Sequence, residues 1–427
     1  METIRLKKII KNCKKKNIDN VIMEASSHGL KQNRLDGLKF KTGIFTNLSR
    51  DHLDYHKTFK DYLKSKLYLF KNLLEKNANI VTDDSIQEYK KIKNIALKSK
   101  FNLNTISNKK SNLSLISIEY QDDKQLIYIR YKKNTYKILV NLIGKVQLKN
   151  IFMAMLAAEK SNLVFKKIVN SIRYIKPVRG RLEKIGNIKN NSKVILDYAH
   201  TPDALKACLL NLKEQFADKK ISIVFGCGGN RDKGKRAVMG MIANQYCEKI
   251  YLTDDNPRNE NPSNIRKDIK KKIEKSKIYE IAERSKAIKQ AILNLKTGNI
   301  LVVAGKGHEE TQDYGTKKKA FSDKKEILKN IKLKKKDESG IFNTANPQFF
   351  LNIINKDYSK QEIHKLIKKK QEMFIVIHNF INHIDLLEKS SMQYKVVNVV
   401  PHPIDQLYSM FKSSMFNNYN DLDRSIT

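Results

Sequence analysis

The chain has 427 residues, enough for two or three domains with proper cores, and carries 40% hydrophobic and 30% charged residues with a formal net charge of +40. That balance suits a globular protein and excludes a wholly disordered one. No apolar run is long enough to span a bilayer, and METIRLKKIIKNCKKK lacks the continuous apolar core of a secretory signal.

In chain order, residues 4 to 16 read as a helix, followed by a short strand at Asn20 to Met23 and another at Thr42 to Thr46. Thr58 to Leu74 is helical, with Phe59, Tyr62, Leu63, Leu67 and Phe70 near one face. Residues 79 to 82 form a strand. Leu113 to Val140 alternates, as antiparallel strands around QDDKQ and KKN turns do. Asn141 to Lys160 turns helical. From Lys193 strands and helices alternate: VILDY, helix 202 to 215, ISIVFG, helix 235 to 246, KIYLTD, IRKDIKKKIEK, RSKAIKQAILNLK and ILVVAG. This predicts a parallel sheet covered by helices, a Rossmann-type arrangement, whose ligands bind beyond the carboxyl ends of the strands. DYAHTP, GCGGNRDKGK, DDNPR and GKGHEE all fall there. LKKKDESG reads as a linker to a tail with helices QEIHKLIKKKQ and FIVIHNFINHIDLLEK and a strand YKVVNVV. His378, His383 and His402 in the tail read as structural.

The basic residues are spread along the chain with Asn and Ile, and no aromatic-interleaved motif accompanies them. A compositional drift over solvated helix faces is the preferred reading. A basic nucleic-acid-binding protein is the non-enzymatic alternative. Cys13, Cys208, Cys227 and Cys247 contain no Cys-x-x-Cys pair, which argues against a disulfide framework or zinc site and for reduced thiols in the cytoplasm.

Glu24 sits at the end of a predicted strand, where a carboxylate reaches a metal or phosphate cluster. Ser26, Gln32 and Arg34 suit an anionic, sugar-like ligand; the alternative is a polar loop with Ser26 or Ser27 as a helix N-cap. Asp51, His52, Asp54 and His56 crowd six residues, a density that suits a hard cation or phosphate. Lys66, expected among Leu63, Leu67 and Phe70, is either a surface lysine or one neutralised by burial and open to carbamate formation with CO₂. From Gly229 the chain runs Gly-x-x-x-x-Gly-Lys, but Arg236 stands where a P-loop needs the Mg²⁺-binding Ser or Thr. Thr201-Pro202-Asp203 opens a helix whose free N–H groups suit a phosphate.

MEASSHGLKQNRLDG, TNLSRDHLDYH, YLKSKLYLF, GKVQLKNIFMAMLAA, RGRLEKI, LDYAHTPDAL, FGCGGNRDKGKR, DDNPR and GKGHEETQ…FSD, in this order over about residues 2 to 330, resemble the Mur ligases. The resemblance implies an α/β fold: a truncated central ATPase domain (1–175), a Rossmann-like C-terminal ligase domain (176–333) and a small, mostly helical extension (334–427). It implies an ATP-dependent ligase of peptidoglycan synthesis. ATP converts a carboxylate of a UDP-N-acetylmuramoyl dipeptide to an acyl phosphate, which the amino group of meso-diaminopimelate attacks. By motif position Glu24, His52 and Lys66 as a carbamate would hold Mg²⁺, and Ser26, Gln32 and Arg34 the UDP-sugar dipeptide. Asn150 and Arg181 would contact the nucleotide, and Asp197 and His200 would face ATP. Gln147 departs from the family's usual Asn. Arg231, Asp255, Asn256, Pro257, Arg258, Gly305 and Glu309 would bind diaminopimelate, the arginines matching its distal carboxylate. A sibling ligase that adds glutamate to folate is disfavoured by DNPR and SSHGL. The family's P-loop, Gly-Thr-x-Gly-Lys-Thr, and its N-terminal domain belong ahead of residue 1. The expectation is therefore an inactive fragment, or a half completed by a separate polypeptide.

Overall fold

A computed structural model describes residues 2–16, 18, 20–49, 52–107, 109–188, 191–339, 376–377 and 397–398. The chain divides into two units, Met1–Ile331 and Lys332–Thr427.

The first unit begins with α1 (Glu2–Lys15), α2 (Ser27–Lys31), β1 (Phe40–Phe45), α3 (Leu53–His56), α4 (Phe59–Asn72), β2 (Leu74–Asp83), α5 (Tyr89–Ser99) and β3 (Asn102–Ile106). It continues with β4 (Leu113–Gln121), β5 (Lys124–Tyr131), β6 (Asn134–Val140), α6 (Lys145–Glu159) and α7 (Phe165–Ile172). The strands β1 to β6 make one sheet in that order, parallel from β1 to β4 and antiparallel through the β4–β5–β6 hairpins. Phe45, Leu67, Phe70 and Ile80 pack one core, and Val81, Ile127, Leu148 and Phe152 another. Thr58 caps α4: its hydroxyl accepts the Asp61 N–H at 3.1 Å.

Then come β7 (Glu183–Ile188), β8 (Ser192–Asp197), α8 (Pro202–Gln215), β9 (Ile221–Phe225), α9 (Lys235–Tyr246), β10 (Lys249–Leu252) and α10 (Pro262–Lys270). They are followed by β11 (Ile278–Glu280), α11 (Arg284–Leu293), β12 (Ile300–Ala304), β13 (Thr311–Asp313), β14 (Lys318–Ala320) and α12 (Asp323–Ser339). The second sheet has the order β11-β10-β9-β12-β8-β7, with β7 alone antiparallel. Its strands are apolar at consecutive positions because both faces are covered. Ile195, Ile223 and Val302 face one core; Val194, Val224 and Val303 face the other.

The fold departs from the sequence reading in particular places. Asn20–Met23 forms no strand, and Ile22 is 97% exposed. A strand exists only through a neighbour's hydrogen bonds, and β1 pairs with β2 alone. The elements α5, β3, α7 and β7 were not anticipated. Helix α10 stops at Lys270, short of the IEK segment. The expected linker LKKKDESG largely continues α12, since Lys and Glu are good helix formers. In the second unit, Val376–Ile377 (β15) pairs in parallel with Val397–Asn398 (β16). That replaces helix by strand at two β-branched residues of FIVIHNF and agrees with the strand expected in YKVVNVV. The helix expected at QEIHKLIKKKQ, and His378, His383 and His402, lie outside the described residues.

Candidate active site

The first candidate region lies around α2 and the loop after β1. Ser26 is the N-cap of α2, its hydroxyl accepting the Gly29 N–H at 3.2 Å. Gln32 Nε2 donates to the Tyr55 hydroxyl at 2.9 Å. Arg34 is exposed, and its Cδ lies 3.8 Å from where a Cβ on Gly29 would stand. His28, His52 and His56 form an aromatic cluster with Tyr55 and Tyr62: ring centroids are 4.9 Å apart for His28–His52 and 5.4 Å for His28–His56. His56 is fully buried, with Nε2 2.9 Å from Ser27 Oγ and Nδ1 without a hydrogen-bond partner. Burial first, and then the positive neighbours His28, Lys31 and His52, hold its pKa below the ordinary 6.5.

Lys66 is half-buried rather than enclosed among leucines. Its ammonium donates to the Asn47 carbonyl at 2.7 Å and lies 5.2 Å from the Phe45 ring centre and 5.5 Å from that of Tyr62. That is the setting of a charged lysine. His52 shares the Tyr62 ring at 5.9 Å, so His52 and Lys66 are neighbours, while Glu24 is exposed on an unpaired stretch. Among the described residues, no group of three or more His, Cys, Asp or Glu side chains is placed to hold a metal ion. Asp51 and the side chain of Asp54 lie outside the described residues.

The second region gathers the loops that follow β8, β9, β10 and β12. Asp197 ends β8 and is 8% exposed. Its carboxylate accepts the Leu182 N–H at 2.7 Å and the Ala199 N–H at 2.8 Å, joining the RGRL loop to DYAHTP. Burial raises its pKa; the two N–H groups, Arg181 and His200 oppose that rise without cancelling it. The Arg181 guanidinium stacks 4.6 Å from the Tyr198 ring centre, and its carbonyl accepts Gln147 Nε2 at 3.1 Å from α6. Asn150 lies exposed on the same helix. His200 Nδ1 is 2.9 Å from the Tyr198 carbonyl, which can only accept, so Nδ1 carries a proton.

The loops after β9 and β10 interlock backbone to backbone. Gly229 N–H donates to the Asn256 carbonyl at 2.9 Å, and a Cβ on Gly229 would stand 1.8 Å from the Pro257 carbonyl oxygen. Arg258 donates to the Gly229 carbonyl at 2.8 Å. A Cβ on Gly228 would lie 2.9 Å from Arg258 Nη1 and 3.8 Å from Arg231 Cγ, so both arginines flank that glycine. Gly305 has φ +111°, and a Cβ there would stand 2.6 Å from Asp255 Oδ2. Only glycine fits both the dihedral and the space.

Arg236, the residue that spoils the P-loop frame, is 1% exposed. It donates to Glu260 at 2.9 Å and to Asp268 at 3.2 Å, and Glu260 in turn accepts the Asn230 N–H at 2.5 Å. It staples the GCGGNRDKGK loop to α10. Cys227, in the same loop, has its thiol pushed up to about 12 by burial and is unreactive.

Three groups here escaped the sequence reading. Lys306 is fully buried and donates to Asn256 Oδ1 at 2.9 Å and Glu309 Oε2 at 2.7 Å. Tyr198 places its ring 4.7 Å from His200 and its hydroxyl 3.5 Å from Glu309 Oε1. Arg284, fully buried, forms a bidentate pair with Asp323 at 2.7 and 2.8 Å and donates to the Ala304 carbonyl at 2.9 Å, under the Gly305 turn. The signal for Lys306 was the strand ILVVA running straight into Gly-Lys-Gly; in a chain with 84 Lys and Arg, one more lysine does not stand out.

Two sheets of this topology, with motif loops gathered at the carboxyl ends of the second, define the class. Residues 1–158 match the Mur ligase middle domain and residues 180–307 the Mur ligase glutamate ligase domain, and the chain belongs to the Mur ligase family. It is 40% identical over 334 residues to the UDP-N-acetylmuramoyl-L-alanyl-D-glutamate–2,6-diaminopimelate ligase of Rickettsia montanensis, covering 78% of this chain and 69% of that one. It is 38% identical over 333 residues to the protein of the same name from Chelativorans sp. (strain BNC1), covering 78% and 68%. A solved structure of a ligase with that name matches at 32% identity and a TM-score of 0.51, covering 73% of this chain and 64% of the other.

Proposed function

We propose that the chain is the catalytic part of an ATP-dependent ligase that joins meso-diaminopimelate to UDP-N-acetylmuramoyl-L-alanyl-D-glutamate through an acyl phosphate. One observation carries this reading: Arg231 and Arg258 flank Gly228, in loops interlocked with the one that holds the Glu309 carboxylate. Two guanidinium groups and a carboxylate match an acceptor with a distal carboxylate and ammonium. Arg258 is anchored by the Gly229 carbonyl yet remains 27% exposed, which leaves its fork able to meet a ligand. The relatives named for this reaction support the same assignment.

On this reading Arg181, stacked on Tyr198, and Asn150 contact the nucleotide, and His200 faces the phosphates. Asp197 orders the two loops that carry them. Asp255, Asn256, Pro257 and Gly305 shape the acceptor pocket. Ser26, Gln32 and Arg34 meet the UDP-sugar dipeptide. A carbamate on Lys66 would make that side chain an anionic oxygen ligand, with Glu24 and His52 as its partners for Mg²⁺; it requires Lys66 to leave the Asn47 carbonyl. Intact-protein mass measured in bicarbonate tests it: an unchanged mass removes the carbamate.

The 427 residues contain no Gly-x-x-x-x-Gly-Lys-[Ser/Thr]. Turnover on this reading needs such a loop in the same active site, and a polypeptide that carries it can supply it. The test is phosphate release from ATP with the UDP-dipeptide and diaminopimelate, with and without such a polypeptide, in bicarbonate. Diaminopimelate-dependent release is expected, with lysine used about a hundredfold less well. Release that ignores the added amino acid would sink the assignment.

A further inference from the structure

A buried lysine is costly unless its ammonium is fully engaged. Lys306 is fully buried in the turn after β12, and its two partners are both proposed acceptor-site residues: Asn256 Oδ1 at 2.9 Å and Glu309 Oε2 at 2.7 Å. Asn256 closes the triangle, its Nδ2 donating to the same Glu309 Oε2 at 2.9 Å. Asn256 Oδ1 also accepts the Asp313 N–H at 2.9 Å, so its amide orientation is fixed from two sides.

The consequence for Glu309 is asymmetric. Oε2 is locked inward by two donors. Among the described residues Oε1 has one long contact, to Tyr198 at 3.5 Å, and the side chain is 31% exposed. A pair whose sole task was cohesion would be served as well by matched apolar side chains. This pair instead leaves the second oxygen of a partly exposed carboxylate with no short donor among the described residues.

We infer that Lys306 is the positioning residue of the acceptor site: by holding Glu309 Oε2 and Asn256 Oδ1 together, it aims Glu309 Oε1 at the ammonium group of the incoming amino acid. The inference rests on the functional reading above. Lys306 also keeps Glu309 charged. Burial alone would raise that carboxyl, but Lys306 and Asn256 bring it below the ordinary 4.5. The other groups that face it are His200 and Tyr198 from the β8 loop and Arg284 from α11.

The experiment titrates meso-diaminopimelate calorimetrically into the full chain from about pH 6 to about pH 9. Wild type should bind with little pH dependence. Lys306→Met releases Glu309 from its aim and should bind about tenfold more weakly throughout, and adding Glu309→Gln to it should cost less than about twofold more, because Lys306 acts through Glu309. Lys306→Arg keeps the charge but not the geometry, and should lose affinity equally at every pH. Affinity of Lys306→Met within twofold of wild type, or a further tenfold loss on adding Glu309→Gln, would overturn the assignment. If Lys306→Met does not fold, the double variant Lys306→Met/Glu309→Gln removes both charges; it should bind weakly at all pH values, and wild-type affinity in it refutes the inference. A wild-type chain that does not bind diaminopimelate overturns the functional reading first, and this assignment with it.

Discussion

The two candidate regions are built differently. Around β8 to β12, four loops lock into one another through backbone contacts, buried ion pairs and glycines that admit no Cβ. Around α2 and the loop after β1, the proposed ligand-facing groups are exposed, and cohesion comes from a histidine–tyrosine cluster and one N-cap. The region proposed to hold the acceptor is thus preorganised, whereas the proposed metal site awaits a carbamate on Lys66. On the proposed function, preorganisation concentrates where a small zwitterion must be told from its neighbours by charge placement.

Matched substitutions in the two regions should break or sharpen this contrast. The largest effect is expected for Gly229→Ala, whose Cβ would overlap the Pro257 carbonyl at 1.8 Å, against Gly29→Ala, which meets Ser26 Oγ at 3.2 Å and Arg34 Cδ at 3.8 Å. The first should cost about 4 kcal/mol in denaturant unfolding and the second less than about 1 kcal/mol. Equal costs would erase the distinction.

Next, Arg236→Met leaves Glu260 and Asp268 without their shared cation and should cost about 3 kcal/mol. Lys66→Met loses one hydrogen bond on a half-buried side chain and should cost about 1 kcal/mol. Thermal unfolding of both variants decides whether the staple or the lysine matters more to stability.

Acid should separate the regions by sign and window. His56 sits below 6.5, so its contribution is present above 6.5 and is lost as pH falls through its folded value. Glu309 sits below 4.5, so its contribution survives until lower pH, lost only as pH falls through its own folded value. Asp197, raised by burial, acts in the opposite sense: its contribution is present below 3.8 and lost as pH rises through the folded value. Moving from about pH 7 to about pH 5 should therefore loosen residues 27–31 before residues 305–309. Hydrogen exchange at both pH values, corrected for intrinsic rates, measures this; equal loss of protection contradicts it. Ser26→Ala, which removes the α2 cap, should cost about 1 kcal/mol and raise exchange locally.

Much of the fold was legible in the sequence. Helix α9 spans 235–246 as its pattern indicates, and Thr201-Pro202 opens α8 through a cap that needs only its own next turn. The strands of the second sheet announced themselves as apolar runs ending in polar motifs, and those motifs do converge. These features depend on residues within a few positions of one another, so local chemistry determined them. Tertiary structure decided the rest. Asn20–Met23 has strand-like residues but no ladder to join. Arg236 became a staple because Glu260 and Asp268, distant in sequence, arrive beside it. Arg231 meets Arg258, and Lys306 meets Asn256, across separations no local pattern encodes. A sequence lists charges one at a time; burial and pairing, which set what a charge can do, exist only after the chain has folded.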